Sequence, residues 1–98
     1  MPSMPPPTDQ SIPALAAHAR LREDPVTGKL LLLYPEGALE LDDSGAEILR
    51  LCDGRRTLGE IVAALAGMFD APPDEILRDT AGCLSQLSER GLIALRAP

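Results

Sequence analysis

Apolar and polar positions change their period several times along the chain, and each change marks an element. Ala19-Arg20-Leu21-Arg22 alternates apolar with charged, the two-residue period of a half-buried strand. Pro25-Val26-Thr27-Gly28 follows as a turn, since proline fixes φ and glycine admits positive φ. Residues 29–34 predict a second strand, Pro35-Glu36-Gly37 a second turn, and Ala38-Leu39-Glu40-Leu41 a third strand. Together they predict a three-strand antiparallel meander. Leu30, Leu31, Leu32 and Leu33 suspend the alternation, so the middle strand is apolar on both faces. One face packs on helices. The other is either covered by the N-terminal segment, through Ile12 and Leu15, or offered as a contact patch.

After Leu41 the period becomes helical. Asp42 or Ser44 can cap a first helix, and Ser44 with Glu47 has capping-box spacing. Ala46, Ile48, Leu49, Leu51 and Cys52 make that helix apolar over much of its surface, hence short and central, and Asp53-Gly54 ends it. Thr57-Leu58-Gly59-Glu60 is a second capping box, opening a core-facing stripe of Leu58, Ile61, Val62, Leu65 and Phe69. Asp70-Ala71-Pro72-Pro73 breaks it. A third helix starts near Pro73 or Asp74 and carries Ile76, Leu77, Thr80, Ala81, Leu84 and Leu87 as far as Gly91. Leu92-Ile93-Ala94-Leu95 is a short extended piece. The expected fold is α+β and winged helix-turn-helix-like, a three-stranded antiparallel sheet followed by three helices. Met1 to Pro13 holds five prolines and almost no hydrophobic pattern. Residues 1–15 are therefore expected to be a flexible Pro-rich tail, and residues 16–96 the folded domain.

A chain of 98 residues allows one domain with a modest core. Tyr34 and Phe69 are its only aromatic residues, so that core is aliphatic and too thin for a large small-molecule pocket. Nine scattered Lys and Arg stand against fifteen carboxylates, for a net charge of −6. That balance disfavours nucleic acid, which draws affinity from phosphate neutralisation, and anionic membrane surfaces; a peptide or protein partner fits better. No stretch is long and apolar enough to span a bilayer, and the first residues lack the basic flank of a signal peptide. The cytoplasm is the expected location, with Cys52 and Cys83 as small buried hydrophobes.

No reacting groups assemble. His18 with two distant cysteines does not make a zinc site, nor does it sit beside a nucleophile. The glycines near Gly54 and Gly59 lack the lysine of a phosphate loop. Asp42-Asp43 reads as helix capping in preference to a cation site, and Arg55-Arg56 as solvated charge in preference to an anion grip. The expectation is a protein without catalysis, metal or cofactor.

Leu49-Arg50-Leu51-Cys52-Asp53-Gly54-Arg55-Arg56-Thr57 resembles the PqqD family of pyrroloquinoline quinone biosynthesis. Arg20-Leu21-Arg22, the turn from Asp24 to Gly28, and Leu31-Leu32-Leu33-Tyr34-Pro35-Glu36 resemble its strand–turn–strand pattern, and the likeness runs over roughly residues 13–95. Where the family often has Gly-Val and a tryptophan, this chain has His18-Ala19 and Leu30. The resemblance implies a peptide-recognition domain without a cofactor. It would bind the precursor peptide PqqA and present it to PqqE, a radical S-adenosylmethionine enzyme that cross-links a Glu and a Tyr within it. In related domains the precursor adds as a strand beside the third strand, against the third helix.

The residues read alone agree with that mode, because the third strand of a meander is an edge open to β-augmentation. Ala38, Leu39, Glu40 and Leu41 would supply the edge; Leu77, Thr80, Ala81 and Leu84 would form the facing floor. Leu31, Leu33, Arg55 and Arg56 are the candidates for contact with the enzyme. Two other classes share the pattern. One is a winged-helix DNA-binding protein reading through Arg78, although Asp74, Glu75 and Asp79 would then face phosphates. The other is a structural dimerisation module using the Leu-rich face.

Overall fold

A computed structural model describes residues 7–97. In chain order it has β1 (Ile12–Leu15), β2 (Arg20–Glu23), β3 (Leu30–Tyr34), β4 (Gly37–Glu40), α1 (Asp43–Arg50), α2 (Leu58–Phe69), α3 (Pro73–Glu89) and β5 (Ile93–Arg96). The meander forms as its alternation requires. β2, β3 and β4 make an antiparallel sheet in that order, with Leu21 opposite Leu32 and Leu32 opposite Leu39. Gly28 closes the first turn at φ 75°, a conformation that costs glycine little.

Each helix starts where a side chain satisfies its unpaired donors. Asp42, not Ser44, caps α1, accepting from the Gly45 amide at 2.7 Å. Thr57 and Glu60 form the reciprocal box at α2, with bonds of 2.9 and 3.2 Å. α3 starts with Pro73, whose missing amide hydrogen is no loss in a first turn. Gly54 and Gly91 lie at φ 79° and 74°, just past α1 and α3.

The core sits between the inner face of the meander and the three helices. Leu32, Leu49, Leu58, Ile61, Leu65 and Leu84 have almost no exposed surface. Burying such a side chain stabilises the fold by roughly 2 kcal/mol. Phe69 departs from the expected stripe. It is the last residue of α2 and 45% exposed, because the helix runs past the edge of the core before the left-handed Asp70 ends it.

The larger correction concerns the N-terminus. Residues 12–15, expected in a flexible tail, form β1, which pairs antiparallel with β5 in a second, two-stranded sheet. The anchoring begins earlier still. The Asp9 and Ser11 carbonyls accept from the Gly59 and Leu58 amides at 2.9 and 2.7 Å, filling first-turn donors of α2 that the helix cannot satisfy itself. Pro13 is buried in β1, and its carbonyl accepts from Gly54 at 3.1 Å. For residues 1–6 the tail expectation lies outside the described residues.

Cys52 carries a pH signature. It is buried, and its thiol donates to the Ile48 carbonyl at 3.2 Å. Burial, helped by Cys83 and Asp53, pushes its pKa up from 9.0 to about 12. The unfolded chain therefore loses this proton first as pH rises, so the contribution is complete below pH 9.0 and gone by about 12. The slope is at most about 1.4 kcal/mol per pH unit. Urea titrations across that window should show wild type weakening more steeply than Cys52→Ala. Parallel pH profiles would remove Cys52 from the account.

Candidate functional site

β4 is a sheet edge. Among the described residues no strand pairs with its outer side, since β5 pairs with β1 instead. Which backbone groups that edge offers follows from register. The Leu41 amide donates to the Leu30 carbonyl at 2.9 Å, so Leu41 belongs to a hydrogen-bonded pair with β3. Antiparallel pairs alternate, so Leu39, opposite Leu32, also turns its N–H and C=O toward β3. Ala38 and Glu40 turn theirs outward. The four residues expected to supply the edge thus divide: Ala38 and Glu40 offer free donors and acceptors, whereas Leu39 and Leu41 hold β4 in place.

The floor needs a different set of α3 residues from the one expected. Thr80 and Leu84 are 1% and 0% exposed and belong to the core, so they present no surface beside the strand. Leu77 and Ala81 are half-buried and pack against that core. Contacts elsewhere show which parts of α3 turn toward the meander and which toward α1 and α2. The Arg90 guanidinium donates to the Tyr34 hydroxyl at 3.1 Å and stacks 5.7 Å from the ring centre, tying the C-terminal end of α3 to the β3–β4 turn. Burial pushes the Cys83 thiol pKa up, and the Asp42 carboxylate just beyond β4 adds to it. Asp79 lines a mainly apolar cavity of about 200 Å³ with Ser44, Ile48, Phe69 and Ile76. Helical spacing puts Asp79, Cys83, Gln86 and Arg90 on one stripe of α3, whose Arg90 end meets Tyr34 and whose Asp79 end opens toward α1 and α2. These residues escaped the sequence reading because none is a large apolar side chain. Only their helical spacing, one position around from the apolar stripe, was available as a signal.

The candidates for a second contact separate. Leu31 and Leu33 are half-buried on the face of the meander turned away from the core. Leu31 stands between Arg22 and Glu40, and Leu33 between Arg20 and Ala38. Neither Ile12 nor Leu15 lies in this sheet, since both are paired in β1. Arg55 and Arg56 occupy the α1–α2 turn, where both amides donate to Asp53 Oδ1 at 2.9 and 3.0 Å. The Arg56 guanidinium also pairs with Asp53 Oδ2 at 2.8 Å. The two backbone donors, with Arg56 beside them, hold the Asp53 carboxyl below the usual range. Nothing among the described hydrogen bonds and ion pairs links this turn to Leu31 and Leu33. Among the described residues no three His, Cys, Asp or Glu side chains are grouped to hold a metal.

Residues 29–93, which span β3, β4, all three helices and the first residue of β5, match the model of the family described as coenzyme PQQ synthesis protein D. The chain belongs to the PqqD family. A PqqA binding protein of Rhizobium meliloti is 41% identical over 85 residues, 87% of each chain. One from Rhodopseudomonas palustris strain TIE-1 is 38% identical, over 88% of this chain and 84% of its own. The bifunctional coenzyme PQQ synthesis protein C/D of Methylorubrum extorquens matches at 37% over 84% of this chain, which corresponds to 22% of that longer protein. The fold is shared as well. The solution structure of the PqqD truncation of Methylobacterium extorquens PqqCD, described as a stand-alone RiPP recognition element, superposes with a TM-score of 0.78. It is 34% identical, with 90% of this chain and 94% of that one covered. PqqD from Xanthomonas campestris gives a TM-score of 0.55 at 35% identity, covering 87% of this chain and 94% of its own. The winged-helix-like α+β architecture is therefore that of PqqD, and the Rhizobium and Rhodopseudomonas relatives are named for binding PqqA.

The register separates two proline substitutions. Leu39→Pro removes a donor that holds β4 to β3 and should lower the unfolding free energy clearly, by roughly 2–3 kcal/mol. Ala38→Pro removes a donor that points to solvent and should stay within about 1 kcal/mol of wild type. Equal destabilisation in denaturant titrations would mean the register is wrong.

Proposed function

We propose that this chain binds the precursor peptide PqqA as an added strand on β4 and presents it, in the cytoplasm, to the radical S-adenosylmethionine enzyme PqqE. The observation that carries the reading is the open β4 edge beside α3, in a family whose curated relatives are named for PqqA binding. An extended peptide satisfies the outward groups of Ala38 and Glu40 through its main chain, each bond contributing about 1 kcal/mol net. Its side chains alternate. One set falls toward the stripe of Asp79, Cys83, Gln86 and Arg90, where side-chain contacts select among peptides; the other joins the outer face of the sheet.

The chain's own part is recognition and presentation. Among the described residues every buried side-chain polar atom has a partner, both cysteines are free thiols, and no catalytic constellation enters the mechanism. Duplex DNA is a poor alternative occupant. Arg78 is exposed on α3 among Asp74, Glu75 and Asp79, which would meet the phosphates. Among the described residues no helix is long and apolar enough to cross a membrane.

Calorimetric titration of PqqA into the free protein tests the reading. Wild type should bind, and Ala38→Pro, still folded, should bind about tenfold more weakly or worse. PqqE added afterwards should bind the loaded protein. Undiminished PqqA affinity in folded Ala38→Pro would place the peptide elsewhere, and no binding by wild type would end the proposal.

A further inference from the structure

The outer face of the meander contradicts the composition of the chain around it. In an antiparallel sheet with one solvated face, outward positions are normally polar. Here both outward positions within central β3 are leucines, Leu31 and Leu33, and the directly opposite residues on β2 are Arg22 and Arg20. Directly opposed residues share a face, so four side chains form one patch: two leucines with two exposed guanidiniums alongside. Arginine stems shelter apolar neighbours while their charged heads stay in water.

The charge of the patch is positive although the chain carries −6. Its carboxylate, Glu40, is engaged by Lys29 at 3.3 Å. Neither Arg20 nor Arg22 belongs to an ion pair among the described residues. Asp24 lies two residues beyond Arg22, and its carboxyl is held low first by the Val26 amide, with Arg22 the last of its causes.

We infer that Arg20, Arg22, Leu31 and Leu33 form a docking surface for an acidic protein surface bearing a protruding apolar side chain, and that its occupant is the enzyme that receives the peptide. The inference rests on the carrier reading above. Charge complementarity selects the occupant. A second copy of the chain meeting this patch about a two-fold axis would set arginines near arginines. The first six residues of the chain carry no carboxylate to answer them. The sheet supplies the second argument. A strand added to β4 extends this same sheet, so alternate side chains of the bound peptide would lie on the outer face, next to Ala38 and Glu40. A protein docked over β2 and β3 would then adjoin those side chains. One face would both hold the enzyme and show it the substrate.

Two double variants test this, Arg20→Glu/Arg22→Glu and Leu31→Ser/Leu33→Ser, each checked for folding by far-ultraviolet circular dichroism. PqqA affinity is measured first and should stay within about twofold of wild type, because the backbone groups of β4 are untouched. PqqE binding to the loaded protein should weaken about tenfold or more in the arginine variant, with the salt dependence of wild-type binding largely lost. PqqE affinity unchanged in the folded arginine variant, with PqqA still bound, overturns the docking face and leaves the carrier reading standing. Failure of wild type to bind PqqA is seen before any enzyme is added and removes the carrier reading, and this inference with it.

Discussion

The pairing of β1 with β5 governs what the rest of this molecule can do. It joins residues near both ends of the chain in a sheet of their own, from Ile12 opposite Arg96 to Leu15 opposite Ile93. Had either segment paired with the outer side of β4 instead, β4 would be an interior strand. Because they pair with each other, the three-stranded sheet ends at β4 on one side, and among the described residues no strand takes up the outward backbone groups of Ala38 and Glu40. The same pairing holds α3, since β5 follows it through Gly91 and packs back against it. The last helix and the strand that follows it are thus held by the terminal sheet.

An exposed edge is a hazard as well as a binding site, because it templates pairing with any extended chain. Several features blunt it here. β4 is four residues long, Glu40 and its Lys29 partner place charge beside it, and Gly37 begins it at the hairpin. A short edge gains little from a random neighbour. A peptide that also meets the α3 stripe gains the side-chain contacts that turn weak main-chain pairing into selection.

Local grammar made most of the fold readable. Alternation set the meander, Thr57 with Glu60 set the start of α2, and proline and glycine set the breaks. Those signals act over a few residues, so sequence exposes them directly. β1 was hidden for the opposite reason. Pro13 reads as a strand breaker, and it is tolerated because its pair with Leu95 is a non-hydrogen-bonded one, so its missing amide hydrogen costs no bond to β5; its partner lies some eighty positions away. The candidate site was half legible. The edge followed from topology, but which of its residues faced outward needed the register, supplied by one bond from Leu41 to Leu30. On α3, apolar spacing chose Thr80 and Leu84, which the core claims. Thr80 misleads in particular, being a polar residue with almost no exposed surface.

Backbone amide exchange, followed residue by residue with and without PqqA, tests the open edge most directly. In the free protein Ala38 and Glu40 should exchange quickly and Leu39 and Leu41 slowly, and PqqA should slow the first pair strongly while leaving the second nearly as it was. If PqqA binds and the amides of Ala38 and Glu40 exchange as fast as before, strand addition at β4 is contradicted.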